Sequence, residues 1–498
     1  MTVTTADGRT RSVVRPAATG LALPAAAAVA AIAAFLLVHD ALIDDAHITM
    51  SYGRNLGLHL HWGLIPDEVA NSATSPLNVL LLGAITAVVR DGVVAVGVLF
   101  VASIVVATVW LRTLARQLEL SRWFPVLAVG LLLVNPLMLS TVGLEPYLCA
   151  ALVAGLLRYG TADRPVAFGL VGGLAVLARP DLGVLVAGIA LVLPGVRRRL
   201  LRTAAVALAV VLPWCVFSWF ALGSAVPDTL VIKAGSARWG GHEFWTGPLL
   251  YYGYMPRAAL MAFLPALAGV LVLLVVLVSR VRARWVPWQH AAAAVGLGGI
   301  AHYGVYGLLH TSPYHWYFTP LIICGILSAA IAVAALRGWR AMAPVIFGVL
   351  LVGGSLAVDL GHGLPWKRAV IETNWASAAQ YERIGKDIAA AMPGATIESP
   401  GEIGTIAYYC ECPIVDQFSD RGRVIAVLNE KEKNAGWLVR FLIRLNYANL
   451  DRSERPRPVD ARLVYQSALL PDGPLQWEAR HWAEPVPGRL VLERTPNS

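Results

Sequence analysis

The residues best suited to chemistry stand early in the chain. Ile43-Asp44-Asp45-Ala46-His47-Ile48 sets two adjacent carboxylates directly after an apolar block, with Tyr52, Arg54 and Asn55 just beyond. Neighbouring carboxylates repel, so one is held ionised by a cation or metal while the pKa of the other rises. Such a pair suits a general base, a metal ligand or both. On a helix end the two side chains point about 100° apart and cannot both face one acceptor. The plain alternative is a solvated acidic turn. Further polar residues recur at the ends of later apolar blocks: Glu145, Arg179 with Asp181, Asp228 with Lys233, and Tyr314, His315 and Tyr317. Each has a bland reading as well. Arg179 and Asp181 suit a paired turn, Glu145 before Pro146 a helix N-terminal acid, Lys233 a snorkelling cation, and His315 with Trp316 an interfacial anchor. The pattern requires no cofactor beyond an optional divalent cation, for which Asp44, Asp45 and Glu145 are the candidate ligands.

The elements that must position these residues are set by composition. Of 498 residues, 57% are hydrophobic and only 14% charged, with a mean hydropathy of +0.63, whereas soluble chains carry about a quarter charged residues. The apolar residues fall in long charge-poor blocks, many near the roughly 20 residues that cross a bilayer. Eleven spans are expected, at 21–38, 93–111, 124–141, 147–159, 166–178, 182–194, 203–222, 258–278, 291–309, 318–336 and 341–358. Residues 76–89 read as a re-entrant or interfacial helix. The first block lacks a small-x-small cleavage pattern and reads as an uncleaved span.

A net charge of +9 could suggest nucleic acid, but the basic residues lie in short clusters between apolar blocks. Orientation by the positive-inside rule accounts for them without a nucleic-acid partner. Placing Arg112/Arg116/Arg122, Arg197/Arg198/Arg199/Arg202, Arg280/Arg282/Arg284 and Arg337/Arg340 inside puts the N-terminus in the cytoplasm. It puts every candidate site residue on the outer face of the cell membrane. Ionisable groups converging at span ends are a functional site by default.

Three parts follow: a cytoplasmic N-terminal tail at 1–20, a membrane module at 21–359 with an outer loop at 40–90, and an extracytoplasmic α/β domain at 360–498. In the last, 374–392 reads as helix, and 395–398, 405–409, 462–465 and 489–493 as strands. The five cysteines are too few and scattered for a disulfide framework or zinc site. Cys149, Cys215 and Cys324 read as packing residues; Cys410 and Cys412 can be oxidised if their domain faces an oxidising compartment.

The series Asp44-Asp45-Ala-His-Ile, Arg54-Asn55-Leu56, Trp62-Gly63 and Thr74-Ser75-Pro76-Leu77 resembles the first outer loop of the polytopic GT-C glycosyltransferases, in particular the actinobacterial terminal arabinofuranosyltransferase type. Gly143-Leu144-Glu145, Arg179-Pro180-Asp181, Pro227-Asp228-Thr229 with Lys233, Tyr314 to Tyr317 before Pro320, and Gly401, Gly404, Tyr408 and Asp416 continue the likeness in order. Asp228 stands where Asn is usual, and His315-Trp316 replaces a basic-aromatic pair, which leaves the sugar open.

The resemblance implies a polyprenyl-phosphate-linked sugar donor, a cell-envelope glycan or glycolipid acceptor outside the membrane, and inversion at the anomeric carbon. It implies Asp44 as the base with Asp45 in support, and Arg54, Arg179, Lys233 and His315 for the lipid phosphate. His47, Glu145, Asp181, Asp228, Tyr314 and Tyr317 complete the expected site. Arabinofuranose is the expected sugar; a hexose such as mannose is the alternative. A transporter or flippase is the non-enzymatic rival, but neither repeated halves nor broken midplane helices are visible in the sequence.

Overall fold

A computed structural model describes residues 18–233, 238–399, 401–466, 475–480 and 487–495. Most of the expected N-terminal tail therefore lies outside the described residues. The chain runs from α1 (Ala18–Val38) through a 3-10 turn at His39–Ala41 into α2 (Asp44–His59), α3 (Pro76–Val89) and α4 (Gly92–Gln117). Then come α5 (Phe124–Val134), α6 (Pro136–Leu139), α7 (Pro146–Thr161), α8 (Pro165–Ala178), α9 (Leu182–Val192), α10 (Pro194–Arg197), α11 (Leu200–Ala221) and α12 (Asp228–Lys233). The bundle closes with α13 (Gly247–Tyr254), α14 (Pro256–Arg282), α15 (Pro287–Leu308), α16 (Thr319–Ala335) and α17 (Met342–Gly361).

Among the described residues, seven helices are long and apolar enough to cross a membrane, those built on α1, α4, α11, α14, α15, α16 and α17. The other four expected spans correspond to α5 and α9 with 11 residues each, α8 with 14 and α7 with 16. At about 1.5 Å per residue none of these reaches the roughly 30 Å of hydrocarbon. The block at 124–141 is not one helix. It breaks at Asn135-Pro136, where the proline cannot donate to the helix ladder and the Asn135 carboxamide oxygen instead accepts from the N–H groups of Leu137 and Met138, both at 3.1 Å.

The helix carrying the acidic pair lies flat against its neighbour. A Cβ on Gly57 of α2 would meet the Gly83 carbonyl oxygen of α3 at 2.4 Å, so only glycine permits this approach.

The C-terminal part combines α18 (Ala378–Ala391), α19 (Gly404–Cys410), α20 (Arg421–Asn434) and α21 (Trp437–Asn446) with a five-stranded sheet. Its strands β1 (Ile397–Glu398), β2 (Ile414–Val415), β3 (Ala461–Gln466), β4 (Gln476–Ala479) and β5 (Gly488–Arg494) lie in the order β2-β1-β3-β5-β4. β1 pairs parallel with β2 and β3, and β5 pairs antiparallel with β3 and β4. Ile384, Ile397, Ile406 and Leu463 share one core with Tyr52, Trp62 and Val79 from the segment after α1, so this part is packed onto the α2–α3 region.

One expected strand is a helix. Thr405-Ile-Ala-Tyr-Tyr409 favours β structure by composition, yet it forms most of α19. The Asp44 carboxylate closes its N-terminus: Oδ2 accepts from the N–H of Ile403 and of Gly404, both at 2.9 Å, and Oδ1 from that of Thr405 at 2.7 Å. A Cβ on Gly404 would lie 2.1 Å from the Asp44 carbonyl oxygen. A tertiary cap has overridden the local preference. Cys410, the last residue of α19, is joined to Cys412 by a disulfide.

Candidate active site

A cavity of about 700 Å³ lies between the bundle and the C-terminal part. Its walls come from the start of α2, the turn between α8 and α9, α12, the end of α15, the aromatic turn before α16 and the segment around Glu402 and Asp416. Asp44, Asp45, Glu145, Arg179, Asp181, Lys233, Tyr314 and Tyr317 all line it.

Asp44 and Asp45 are adjacent but not equivalent. Asp44 is buried, with both oxygens engaged by the three α19 N–H groups. Burial pushes its carboxyl up to about 6 in spite of those bonds, with the Asp45 charge adding to the rise. Asp45 is partly open to the cavity. Burial raises its pKa too, and the positive charge of Lys233 pulls it back. Behind Asp44, Glu402 is pushed up to about 8, by burial first and by the Asp44 charge next; it accepts from the Tyr381 hydroxyl and, at 3.3 Å, from the Trp375 N–H. The shift favours its protonated form.

The turn Arg179-Pro180-Asp181 forms one end. Arg179 donates to Asp181 from Nε at 3.1 Å and from Nη2 at 2.7 Å. Its Nη1 donates to the Trp316 carbonyl at 3.1 Å and lies 3.3 Å from Glu145 Oε1. Asp181 Oδ2 also meets His302 Nε2 at 2.6 Å and accepts from the Tyr306 hydroxyl at 2.9 Å. Burial alone would raise the Asp181 pKa, but Arg179 and His302 outweigh it and hold the carboxyl well below its ordinary range. Glu145 shares the same arginine and remains shifted upward by burial.

The other end is built around Lys233. Its ammonium lies 4.8 Å from the ring centre of Tyr314, 5.3 Å from Phe418 and 5.9 Å from Trp316. Burial disfavours its charge, but Tyr317, Asp45, Tyr314 and Asp416 more than compensate and keep it cationic. Asp416 accepts from the N–H groups of Phe418 at 2.7 Å and Ser419 at 2.8 Å, which fixes it beside the lysine. The cavity can therefore present an ionisable base, a cation cradled by ring faces, and a neutral acid.

No family model matches the chain, and no curated protein matches it in sequence. Solved structures do match. ArnT from Cupriavidus metallidurans bound to undecaprenyl phosphate superposes with a TM-score of 0.54 over 97% of this chain and 99% of that one, at 16% identity. The Archaeoglobus fulgidus oligosaccharyltransferase AglB, in complex with an inhibitory peptide and a dolichol-phosphate, gives 0.53 over 89% of this chain and 69% of that one, at 11% identity. The chain has the GT-C fold.

Within this GT-C fold the remaining expected residues stand back from the cavity. Arg54 ties α2 to α19, donating to the Tyr408 carbonyl at 2.8 Å and to Glu411 at 3.1 Å, with its guanidinium over the Tyr408 ring. His47 is buried among Tyr408, Tyr409 and the Thr405 hydroxyl, and burial pushes its pKa down to about 4. Asp228 accepts from the Ser224 hydroxyl at 2.9 Å and lies 3.9 Å from Arg421, fixing the start of α12 from behind. His315 is buried edge-on to Tyr251 and Trp316, and neither ring nitrogen has a partner among the described residues. His302, Tyr306 and Glu402 line the cavity without having been singled out from the sequence. An ionisable histidine inside an apolar block was the available signal for the first. No group of three or more His, Cys, Asp or Glu is placed to hold a metal ion among the described residues.

Proposed function

We propose that this protein is a membrane glycosyltransferase that moves a sugar from a polyprenyl-phosphate donor to a hydroxyl of a cell-envelope glycan or glycolipid. The observation that carries this reading is that Asp45 and Lys233 line one cavity of a GT-C fold, where the lysine's charge acts on the carboxylate. Arabinofuranose is the sugar to which the sequence resemblance points.

In the reaction, the acceptor hydroxyl attacks the anomeric carbon while Asp45 takes its proton. The bond from that carbon to the phosphate oxygen breaks with inversion, and the polyprenyl phosphate leaves with the bonding pair. Lys233 meets the charge that develops on the leaving oxygen. Asp45 replaces Asp44 as the base because the Asp44 oxygens are engaged by three backbone donors, while those of Asp45 open to the cavity. Arg179 is already committed to two carboxylates and organises the wall rather than the phosphate.

The cavity and the C-terminal part face outward in this reading. The Arg clusters of the connecting segments support that orientation, and a Cys410–Cys412 disulfide suits an oxidising compartment. A cysteine at exposed Leu60 should react with an impermeant maleimide in intact cells, and one at exposed Trp339 should not; the opposite pattern would invert the orientation.

The catalytic test uses protein reconstituted in nanodiscs with radiolabelled decaprenyl-phospho-arabinofuranose and a synthetic arabinan acceptor, alongside a polyprenyl-phospho-mannose control. Transfer from the arabinose donor that disappears in Asp45→Asn is the expected result. Transfer from mannose alone changes the sugar. Absence of transfer from either donor by correctly folded protein would overturn the reading.

A further inference from the structure

The C-terminal part carries a feature that its own packing does not explain. Helix α21 places Trp437, Leu438, Phe441, Leu442 and Leu445 on one stripe, an arc of roughly 140° at about 100° per residue. All five are exposed, Trp437 at 81% and Phe441 at 58%. The opposite side is conventional apart from Val439, which is exposed as well. Ile443 is buried against Val424, Leu428 and Ile232, and Asn446 Oδ1 accepts from the Val226 N–H at 2.9 Å. Arg440 and Arg444 fold back to the end of α20, where Arg440 donates to the Glu432 carbonyl and Arg444 pairs with the Glu432 carboxylate. The helix is thus held by its polar and inner faces while an apolar stripe points away from the protein. Five large apolar side chains on 10 residues exceed the scattered single exposures normal for a water-facing surface.

The stripe adjoins another apolar surface. The indole N–H of Trp219, near the end of α11, donates to the Leu445 carbonyl at 3.0 Å. The neighbouring Phe220 is 66% exposed, and Phe217, Val216 and Leu212 continue the exposed apolar face along α11. α11 is among the helices able to cross a membrane, and only 6% of its apolar window is buried inside the protein.

We infer that α21 lies in the interfacial layer of the bilayer, with Trp437, Phe441 and Leu445 inserted among the lipids beside the end of α11. The geometry matches an in-plane amphipathic helix, with an apolar face toward the acyl boundary and arginines at its polar edge. The inference rests on the bundle being membrane-embedded, as proposed above. It adds a second attachment of the C-terminal part to the bilayer. Because α20 and α21 also pack on Val231 and Ile232 of α12, that attachment fixes the short helix carrying Lys233 relative to the leaflet from which a lipid-linked substrate would come.

The test reads lipid contact rather than catalysis. In a Cys215→Ala background, an environment-sensitive fluorophore is placed at Trp437→Cys, at Phe217→Cys on α11, and at Arg383→Cys on the exposed side of α18. The full-length protein is reconstituted in phosphatidylcholine–phosphatidylglycerol nanodiscs with and without a nitroxide lipid labelled near the headgroup. Position 437 should emit to the blue of position 383 and lose at least about twofold more fluorescence to the quencher lipid, as an interfacial side chain would. Quenching at 217 but not at 437 would overturn the anchor while leaving the bundle in the membrane. Absence of quenching at 217 would remove the membrane placement itself. A blue-shifted but unquenched 437 would mean that protein covers the stripe, which also overturns the inference.

Discussion

The two ends of the cavity manage charge by different means. At one end Arg179 is locked by a bidentate contact to Asp181, a second carboxylate from Glu145 and the Trp316 carbonyl, with His302 and Tyr306 behind Asp181. Such planar, multiply bonded pairing fixes geometry as well as charge. At the other end Lys233 is held against Tyr314, Trp316 and Phe418, between Asp45 and Asp416. Ring faces attract an ammonium without dictating the direction of its protons. The first arrangement suits a wall that must not move, the second a cation that has to follow charge as it develops on a leaving group. The bland reading of Arg179 and Asp181 as a paired turn thus agrees with what their contacts do, whereas Lys233 is surrounded by more than snorkelling needs.

This contrast can be broken by mutation, and the largest change should come from the base. Asp45→Asn should lower turnover by about 10²–10⁴-fold with the fold intact, measured under single-turnover conditions in nanodiscs. Arg179→Met should instead damage the structure. Leaving Asp181 and Glu145 buried without their cation costs about 3–5 kcal/mol, visible as poor recovery of monodisperse protein and a lower thermal midpoint. A variant that folds normally but loses turnover would move Arg179 into the reaction. Lys233→Met should reduce turnover by about 10²–10³-fold with little change in midpoint; kinetics like those of the unmutated protein would return Lys233 to an interfacial role. Asp44→Asn should cost about 1–2 kcal/mol as a weakened helix cap, read as a drop in thermal midpoint, with folded protein retaining measurable transfer. Complete loss there, with Asp45→Asn active, would restore the first carboxylate as the base.

A pH-dependent effect concerns Glu402. Its carboxyl is raised to about 8 from an ordinary 4.5, so its contribution to stability is fully present below about pH 4.5 and is lost as pH rises through about 8. Glu402→Gln should flatten the fall of the thermal midpoint across that window. An unchanged slope would mean that Glu402 is ionised at neutral pH.

Most of the helical bundle was legible because a span needs only a long charge-poor block, and such blocks are local. The interruption at Asn135-Pro136 was visible in the same terms, but hydropathy averaged over it. The acidic pair, the Arg179 turn and Lys233 were legible as polar residues at the ends of apolar segments. Their division of labour was not. Whether Asp44 or Asp45 opens to the cavity depends on backbone donors at Ile403, Gly404 and Thr405, and no local pattern announces a partner so distant. For the same reason 405–409 reads as a strand until Asp44 is brought to its N-terminus. Glu402 and His302 were missed because one sits in an irregular segment and the other inside an apolar helix, and only tertiary packing brings them to the cavity.

The capping of α19 by Asp44 also sets an order of assembly. The carboxylate leaves the ribosome 359 residues before the first N–H it will accept from, an interval of roughly 20–70 s at about 5–20 residues per second. Through that time the bundle can insert and pack, but one wall of the cavity does not yet exist. A part of the chain made after all the spans is what completes it. A protein truncated between Gly361 and Ile403 would have the spans in place and no finished chamber, so nascent chains of that length would lack the completed cavity.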